Sequence, residues 1–262
     1  MTTWLDGGLA TTLQRRGLPS HTPVNAWLEA RPDAVRAAHG AFVQAGAAVV
    51  LTGTLRLLPH LDPRWPGRLD RALRVALEAA SDQAEVWCAL GPASTAEAQY
   101  LDQPESVRRE LADSWVTTAL RSVRRGARAV VLETFVDPGE ACDAVRYLRR
   151  AMPDTLLVAS LVPDATGHLL DGSDPKPAMS RLLEAGADGV GFNCGDGPEA
   201  VEAALARCAG LEARWWAKPA CGPDREATAA ALRRLAARCT WVGGCCGVDP
   251  ELLGEAIGAK PA

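Results

Sequence analysis

With 262 residues, 48% of them hydrophobic and 23% charged, and a formal net charge of −4, the chain can bury a sizeable core and matches one barrel-sized domain spanning 1–262. Its pI of about 5.6, with Lys and Arg scattered along helical stretches and nowhere massed, leaves no electrostatic footprint for nucleic acid or an anionic membrane and favours a small-molecule partner. No apolar run approaches the roughly 18 residues of a membrane span, and 1–10 has neither a basic start nor an apolar signal segment. A cytoplasmic protein is expected, whose eight cysteines serve as core filler, metal ligands or nucleophiles and not as disulfides.

Short apolar runs rich in Val, Leu and Trp alternate with longer Ala-, Arg-, Leu- and Glu-bearing segments of helical period, the pattern of βα units around a parallel sheet. Strands are predicted at Thr3–Leu5, Ala47–Leu51, Glu85–Leu90, Ala129–Leu132, Leu156–Leu161, Gly189–Phe192, Trp215–Lys218 and Thr240–Val242. Helices are predicted at Asp33–Ala45, Gly67–Ser81, Glu105–Arg125, Glu140–Ala151, Lys176–Ala185, Glu199–Ala209, Asp224–Arg238 and Pro250–Gly258. Three helix-to-strand joins, around Gly46, Gly126 and Gly186, place a glycine where a helix end needs a left-handed residue. Eight units in this length predict an α/β fold with a single (β/α)₈ TIM barrel rather than an open doubly wound sheet. The Pro- and Gly-bearing stretches Leu18–Pro23, Pro59–Gly67 and Asp164–Pro177 read as loops of the active-site face.

In such a barrel the chemistry gathers at the C-terminal ends of the strands. Asp6-Gly7-Gly8, Glu133-Thr134, Asn193-Cys194 and Cys245-Cys246 all fall there. Two adjacent cysteines have Cα atoms about 3.8 Å apart, shorter than the roughly 4.4 to 6.8 Å of an unstrained disulfide; with glycines on both sides, the pair suits a soft metal better. Strands six and eight share parity, so Cys194 can meet Cys245 and Cys246, and three thiolates around Zn²⁺ leave a fourth tetrahedral position open, as in catalytic sites. The alternative is Cys194 packed in the core beside an incidental pair. Cys221, after strand seven, is a candidate fourth ligand, against ordinary loop packing. Cys88, Cys142, Cys208 and Cys239 read as small buried hydrophobes. Asp6 and Glu133, ending strands one and four, could hold a substrate ammonium or act as acid and base, or else cap a helix or pair with an Arg. Lys218 reads as a paired lysine more readily than as a Schiff-base former. His21, His39, His60 and His168 lack metal-ligand spacing and read as surface residues. Gly195-Asp196-Gly197-Pro198 reads as a βα turn more readily than as a phosphate cradle.

Together these residues resemble the homocysteine S-methyltransferase family, zinc-dependent (β/α)₈ barrels, over essentially the whole chain. Leu5-Asp6-Gly7-Gly8 with Thr11 is similar to the opening motif, Trp27 through Gly46 to the first helix, Gly91-Pro92, Glu133-Thr134, Asn193-Cys194 and Lys218-Pro219 to the later strand ends, and Gly243-Gly244-Cys245-Cys246-Gly247 to the most specific signature. The resemblance implies that Cys194, Cys245 and Cys246 bind zinc and activate the thiol, and that Asp6, Gly7, Thr11, Glu133 and Asn193 contact the amino acid. The expected reaction is methyl transfer to homocysteine, giving methionine. Family members that use betaine carry a C-terminal oligomerisation extension, whereas 16 residues follow Cys246 here, and cobalamin-dependent members add further domains; a sulfonium donor such as S-methylmethionine and a monomer are therefore expected. A methylated corrinoid partner, a non-catalytic zinc- or thiol-binding barrel and a Lys218-based lyase are the alternatives. The chain departs from the family at Ala10 and Thr12, where Gly and Glu are usual, at Gly53 in place of Asn, and at Ala220-Cys221 after strand seven, where the family has an amide.

Overall fold

The computed structural model describes residues 1–20, 22–94 and 100–258. In chain order the elements are β1 (Thr3–Trp4), α1 (Leu9–Arg15), α2 (Val24–Ala30), α3 (Pro32–Gln44), β2 (Val49–Leu51), α4 (Trp65–Ala80), β3 (Glu85–Leu90), α5 (Glu105–Arg124), β4 (Ala129–Phe135), α6 (Pro138–Ala151), β5 (Leu156–Leu161), α7 (Pro175–Glu184), β6 (Gly189–Cys194), α8 (Pro198–Arg207), β7 (Trp215–Pro219), α9 (Arg225–Ala236), β8 (Trp241–Val242) and α10 (Pro250–Ile257). The eight strands pair in parallel in the order β1-β8-β7-β6-β5-β4-β3-β2. The ring closes where Leu5 bridges Val49, the Ala48 N–H donates to Trp4 O at 2.8 Å and the Asp6 N–H to Val49 O at 2.9 Å. This is the (β/α)₈ barrel the alternating pattern predicts.

Alternation along the strands sorts the core into two layers. One set of side chains meets the helices. The other fills the barrel, where Trp87, Trp216 and Trp241 pack with Val131 and Val158. Trp87 stacks on Trp216 at 6.4 Å between ring centroids and meets Trp241 edge-on at 5.8 Å. Glycine on β6 makes room for them: a Cβ on Gly189 would lie 2.4 Å from Cζ3 of the Trp241 ring. These side chains fill the barrel interior, and chemistry in such a barrel gathers at its C-terminal mouth.

β3 and β5 match the predicted spans, whereas β4 and β6 run on through Glu133-Thr134 and Asn193-Cys194. The chemically active residues are thus the last rungs of strands and inherit their rigidity. Helices α3, α6, α7 and α8 begin one or two residues before their predicted starts, each with proline in its first turn; the missing N–H costs nothing there and φ is already helical. Asp137 and Asp174 cap α6 and α7 by accepting backbone N–H bonds. Helices α1 and α2 are new. At seven residues each they are too short to show a period, and they are held by a satellite core of Leu13, Leu18, Trp27, Leu28 and Val35. His21 lies outside the described residues.

Candidate metal and substrate site

Cys194 ends β6 and the cysteine pair follows β8, and the three Sγ atoms lie within 4.8 Å of one another. Cys194 Sγ and Cys246 Sγ are 3.8 Å apart. A tetrahedral ion with metal–sulfur bonds of about 2.3 Å spaces its sulfurs about 3.8 Å apart, so the donor set fits a four-coordinate thiophilic ion with one position left over. Hydrogen bonds from Cys194 and Cys245 hold Cys246 well below the ordinary thiol range, and Cys194 is pushed up by its bonds to Cys245 and Cys246 and by burial.

The backbone pins this trio from both sides. The Cys245 N–H donates to Pro219 O at 2.8 Å, the Gly244 N–H to Asp6 O at 3.0 Å and the Gly8 N–H to Val248 O at 2.8 Å. Thr11 completes the clamp: its hydroxyl accepts from Gly247 N at 3.0 Å and donates to Gly8 O at 3.0 Å. A Cβ on Gly8 would fall 2.5 Å from Cys245 O, so only glycine lets the β1 loop approach so closely. Two residues at the site hold left-handed backbone, Thr134 at φ 65° and Cys194 at φ 61°. Such conformations cost on the order of 1–3 kcal/mol each and turn these strand ends away from ordinary pleating.

Asn193 sits between them, fully buried. Its Oδ1 accepts from Thr134 N at 2.8 Å and Ser160 Oγ at 2.6 Å, and its Nδ2 donates to Thr134 Oγ1 at 2.9 Å and toward Cys245 Sγ at 3.9 Å. Every polar atom of the amide is engaged, so Asn193 orients Thr134 and Cys245. Asp6 is likewise committed: Oδ1 takes the Lys218 ammonium at 2.8 Å and Oδ2 the Leu51 N–H at 2.8 Å. Burial alone would lower Lys218, but Asp6 and Glu133 outweigh it and raise it, in keeping with a paired lysine. Glu133 is the freer carboxylate. It makes no hydrogen bond among the described residues, and burial raises it to about 7, with Lys218 pulling it down and Cys245 and Asp6 adding to the rise.

These groups share one cavity of about 360 Å³, which Asp6, Gly7, Thr11, Glu133, Lys218 and the three cysteines help to line. Most of the expected residues gather at this cavity, but Asn193, expected to contact the amino acid, is not among its lining residues and acts through Thr134 and Cys245. Cys221 is not brought into the trio: its thiol points to Gly222 O at 3.3 Å and Thr228 Oγ1 at 3.9 Å, while its N–H donates to Cys246 O at 2.7 Å, so it braces the cysteine loop from outside. His39 is not a surface residue. It is 1% exposed, and burial drops it to about 4, which keeps the ring neutral. Asn25 and Arg56 also line the cavity; both come from the segment where α1, α2 and the β2 loop fold together, and no motif marks them.

A closed parallel barrel with a clustered thiol trio and a carboxylate at its mouth defines an enzyme of the (β/α)₈ class with a metal-competent active site. The sequence profile of the homocysteine S-methyltransferase family matches residues 3–256, and the chain belongs to that family, a family of methyltransferases. It is similar to the S-methylmethionine–homocysteine S-methyltransferase of Pongo abelii, 26% identical over 94% of this chain and 74% of that one. It is also similar to the methionine synthase of Mycobacterium leprae (strain TN), 27% identical over 97% of this chain but 24% of the longer protein. Among solved structures, the oxidised form of the homocysteine methyltransferase MmuM from Escherichia coli superposes with a TM-score of 0.82, covering 99% of this chain and 96% of that one at 22% identity. At that identity the likeness shows the fold. No helix among the described residues is long and apolar enough to cross a membrane.

Proposed function

We propose that this chain transfers a methyl group from a small sulfonium donor to the thiol of homocysteine, giving methionine, with Zn²⁺ held by Cys194, Cys245 and Cys246. The observation that carries the reading is the thiol trio opening into the same cavity as an unengaged carboxylate, Glu133. Zn²⁺ bound there would deprotonate a thiol in its fourth position and, already carrying three thiolates, leave that sulfur rich in electron density. Glu133 holds the ammonium of the amino acid. Asp6 acts at one remove, fixing Lys218 and the β2 strand end that shape the floor. The homocysteine sulfur forms the new bond to the methyl carbon as the donor's carbon–sulfur bond breaks, and that electron pair returns to the donor sulfur to leave a neutral thioether. The thiol proton passes to solvent.

A sulfonium donor is supported by the relative from Pongo abelii, whose name includes S-methylmethionine. The test is purified, zinc-loaded protein assayed against a matrix of methyl donors and thiols, with Cys246→Ala as control. Methionine formed from homocysteine and S-methylmethionine, lost in the control, is expected. Full activity in the control would refute the metal-dependent reading.

A further inference from the structure

The cavity is lined by four charged residues, Asp6, Arg56, Glu133 and Lys218. Asp6 and Lys218 neutralise each other at 2.8 Å, and the charges that act on Glu133 are those of Lys218, Cys245 and Asp6. Arg56 stands apart. It is exposed at the rim and makes no hydrogen bond or ion pair among the described residues, so its guanidinium is an uncompensated cation facing the cavity. On the same wall is Asn25, whose Oδ1 is buried without a hydrogen-bond partner. A buried amide oxygen left unpaired is costly unless a ligand meets it.

The close approach of two segments builds this wall. A Cβ at Gly53 would lie 2.8 Å from Val24 Cγ1 and 3.1 Å from Leu9 Cδ2. The bare backbone at position 53 therefore lets α1 and the start of α2 close onto the β2 loop, which sets Asn25 on one side of the contact and Arg56 on the other. The wall is otherwise apolar, with Leu9, Val24, Leu55 and Leu57.

We propose that Arg56 is the carboxylate seat of the methyl donor and that Asn25 Oδ1 accepts from the donor's ammonium, so that the protein selects sulfonium zwitterions over sulfonium ions that carry positive charge alone. This rests on the methyl-transfer reading of the site. The onium methyl faces the acceptor thiol while the donor carboxylate pairs with the guanidinium. Arg56 and Asn25 are specificity-determining residues, and the acceptor's contacts lie elsewhere.

Calorimetric titration of the zinc-loaded protein tests this with three probes: S-methylmethionine, which has carboxylate and ammonium; 3-(dimethylsulfonio)propionate, which has the carboxylate alone; and trimethylsulfonium, which has neither. Wild type should bind both carboxylate probes about tenfold or more tighter than trimethylsulfonium. Arg56→Gln should erase that preference and weaken homocysteine by less than about twofold, and Asn25→Ala should weaken S-methylmethionine only. Equal affinity for the three probes in wild type, or equal losses across them in Arg56→Gln, overturns the proposal. Loss of homocysteine affinity in Arg56→Gln also overturns it, by giving the carboxylate seat to the acceptor. A carboxylate preference that survives without any methyl transfer refutes the methyl-transfer reading and leaves Arg56 as an anion seat; transfer without the preference refutes the seat alone.

Discussion

Around the cysteine loop the polar side chains are spent on the protein itself: Asn193 gives its amide to Thr134, Ser160 and Cys245, and Thr11 clamps the loop through Gly247. On the wall made by α2 and the loop after β2, Asn25 Oδ1 and the Arg56 guanidinium have no partner among the described residues. The first wall is finished by the fold; the second is finished by what binds to it. Preorganisation belongs where three sulfurs must converge within a few tenths of an ångström, since reorganisation at that point would weaken metal binding and slow the reaction. Selectivity among donors needs only complementary charge, and a short, loosely patterned insert can carry it.

Removing a sulfur breaks the finished wall most severely. Cys246→Ala should lower metal affinity by more than about 100-fold, beyond the effect of losing an outer-shell partner, and abolish turnover; metal content after dialysis, with the activity assay, checks this. Next is the buried pair beneath. Asp6 and Lys218 are 1% and 4% exposed at their side chains, so Lys218→Met strands a carboxylate in the interior and should cost about 3–5 kcal/mol in denaturant unfolding. The double change Asp6→Asn with Lys218→Met should cost less than the single one. If the single variant loses under about 1 kcal/mol, the pair does not hold the barrel mouth.

Asn193→Ala should come third. It leaves the Thr134 N–H and the Ser160 hydroxyl unpaired, about 1–3 kcal/mol, and frees Cys245 Sγ of a donor, with about a tenfold loss of metal affinity. A stability loss without a change in metal affinity would make Asn193 a strand tie only. A smaller, pH-dependent effect belongs to Glu133. Burial raises its carboxyl to about 7, so it binds a proton as pH falls through that value, and its hold on an ammonium weakens below it. The facing charges are Lys218, which favours the ionised form, and Cys245 and Asp6, which oppose it. KM for homocysteine should rise by up to about tenfold per pH unit below 7, and Glu133→Gln should flatten that rise while raising KM at pH 8.

The barrel and the thiol trio were both legible in the sequence, because period and strand-end position are local properties: an apolar run, a glycine, a cysteine, repeated at strands six and eight. The division of labour between Asp6 and Glu133 was not. Both end a strand with a carboxylate, and Asp6 differs only because Lys218, far along the chain, reaches it across the closed ring. Thr134 shows the same limit from another side, since a β-branched residue announces extended backbone and only the buried amide of Asn193 holds it at positive φ. His39 looked like a surface residue on a helix because its burial is set by tertiary packing and not by its own helix's period. Asn25, on α2, and Arg56, in the loop after β2, lie where tertiary packing, not propensity, decides the structure.

Cys221 should yield the smallest effect, and it bears directly on which sulfurs count. Its position beside β8 made it a candidate ligand, yet its thiol turns to Gly222 O and Thr228 while its backbone N–H holds Cys246 O at 2.7 Å. The part it plays at the site is therefore played by its main chain, which any residue with an N–H can supply. Serine in its place keeps that bond and offers a hydroxyl to the same acceptors. Cys221→Ser should leave metal affinity and donor KM within about twofold and stability within about 0.5 kcal/mol, measured by competition with a chromophoric chelator and by unfolding. A fivefold fall in metal affinity would mean that this sulfur swings inward when the open position is free, and the finished wall would then have one movable part.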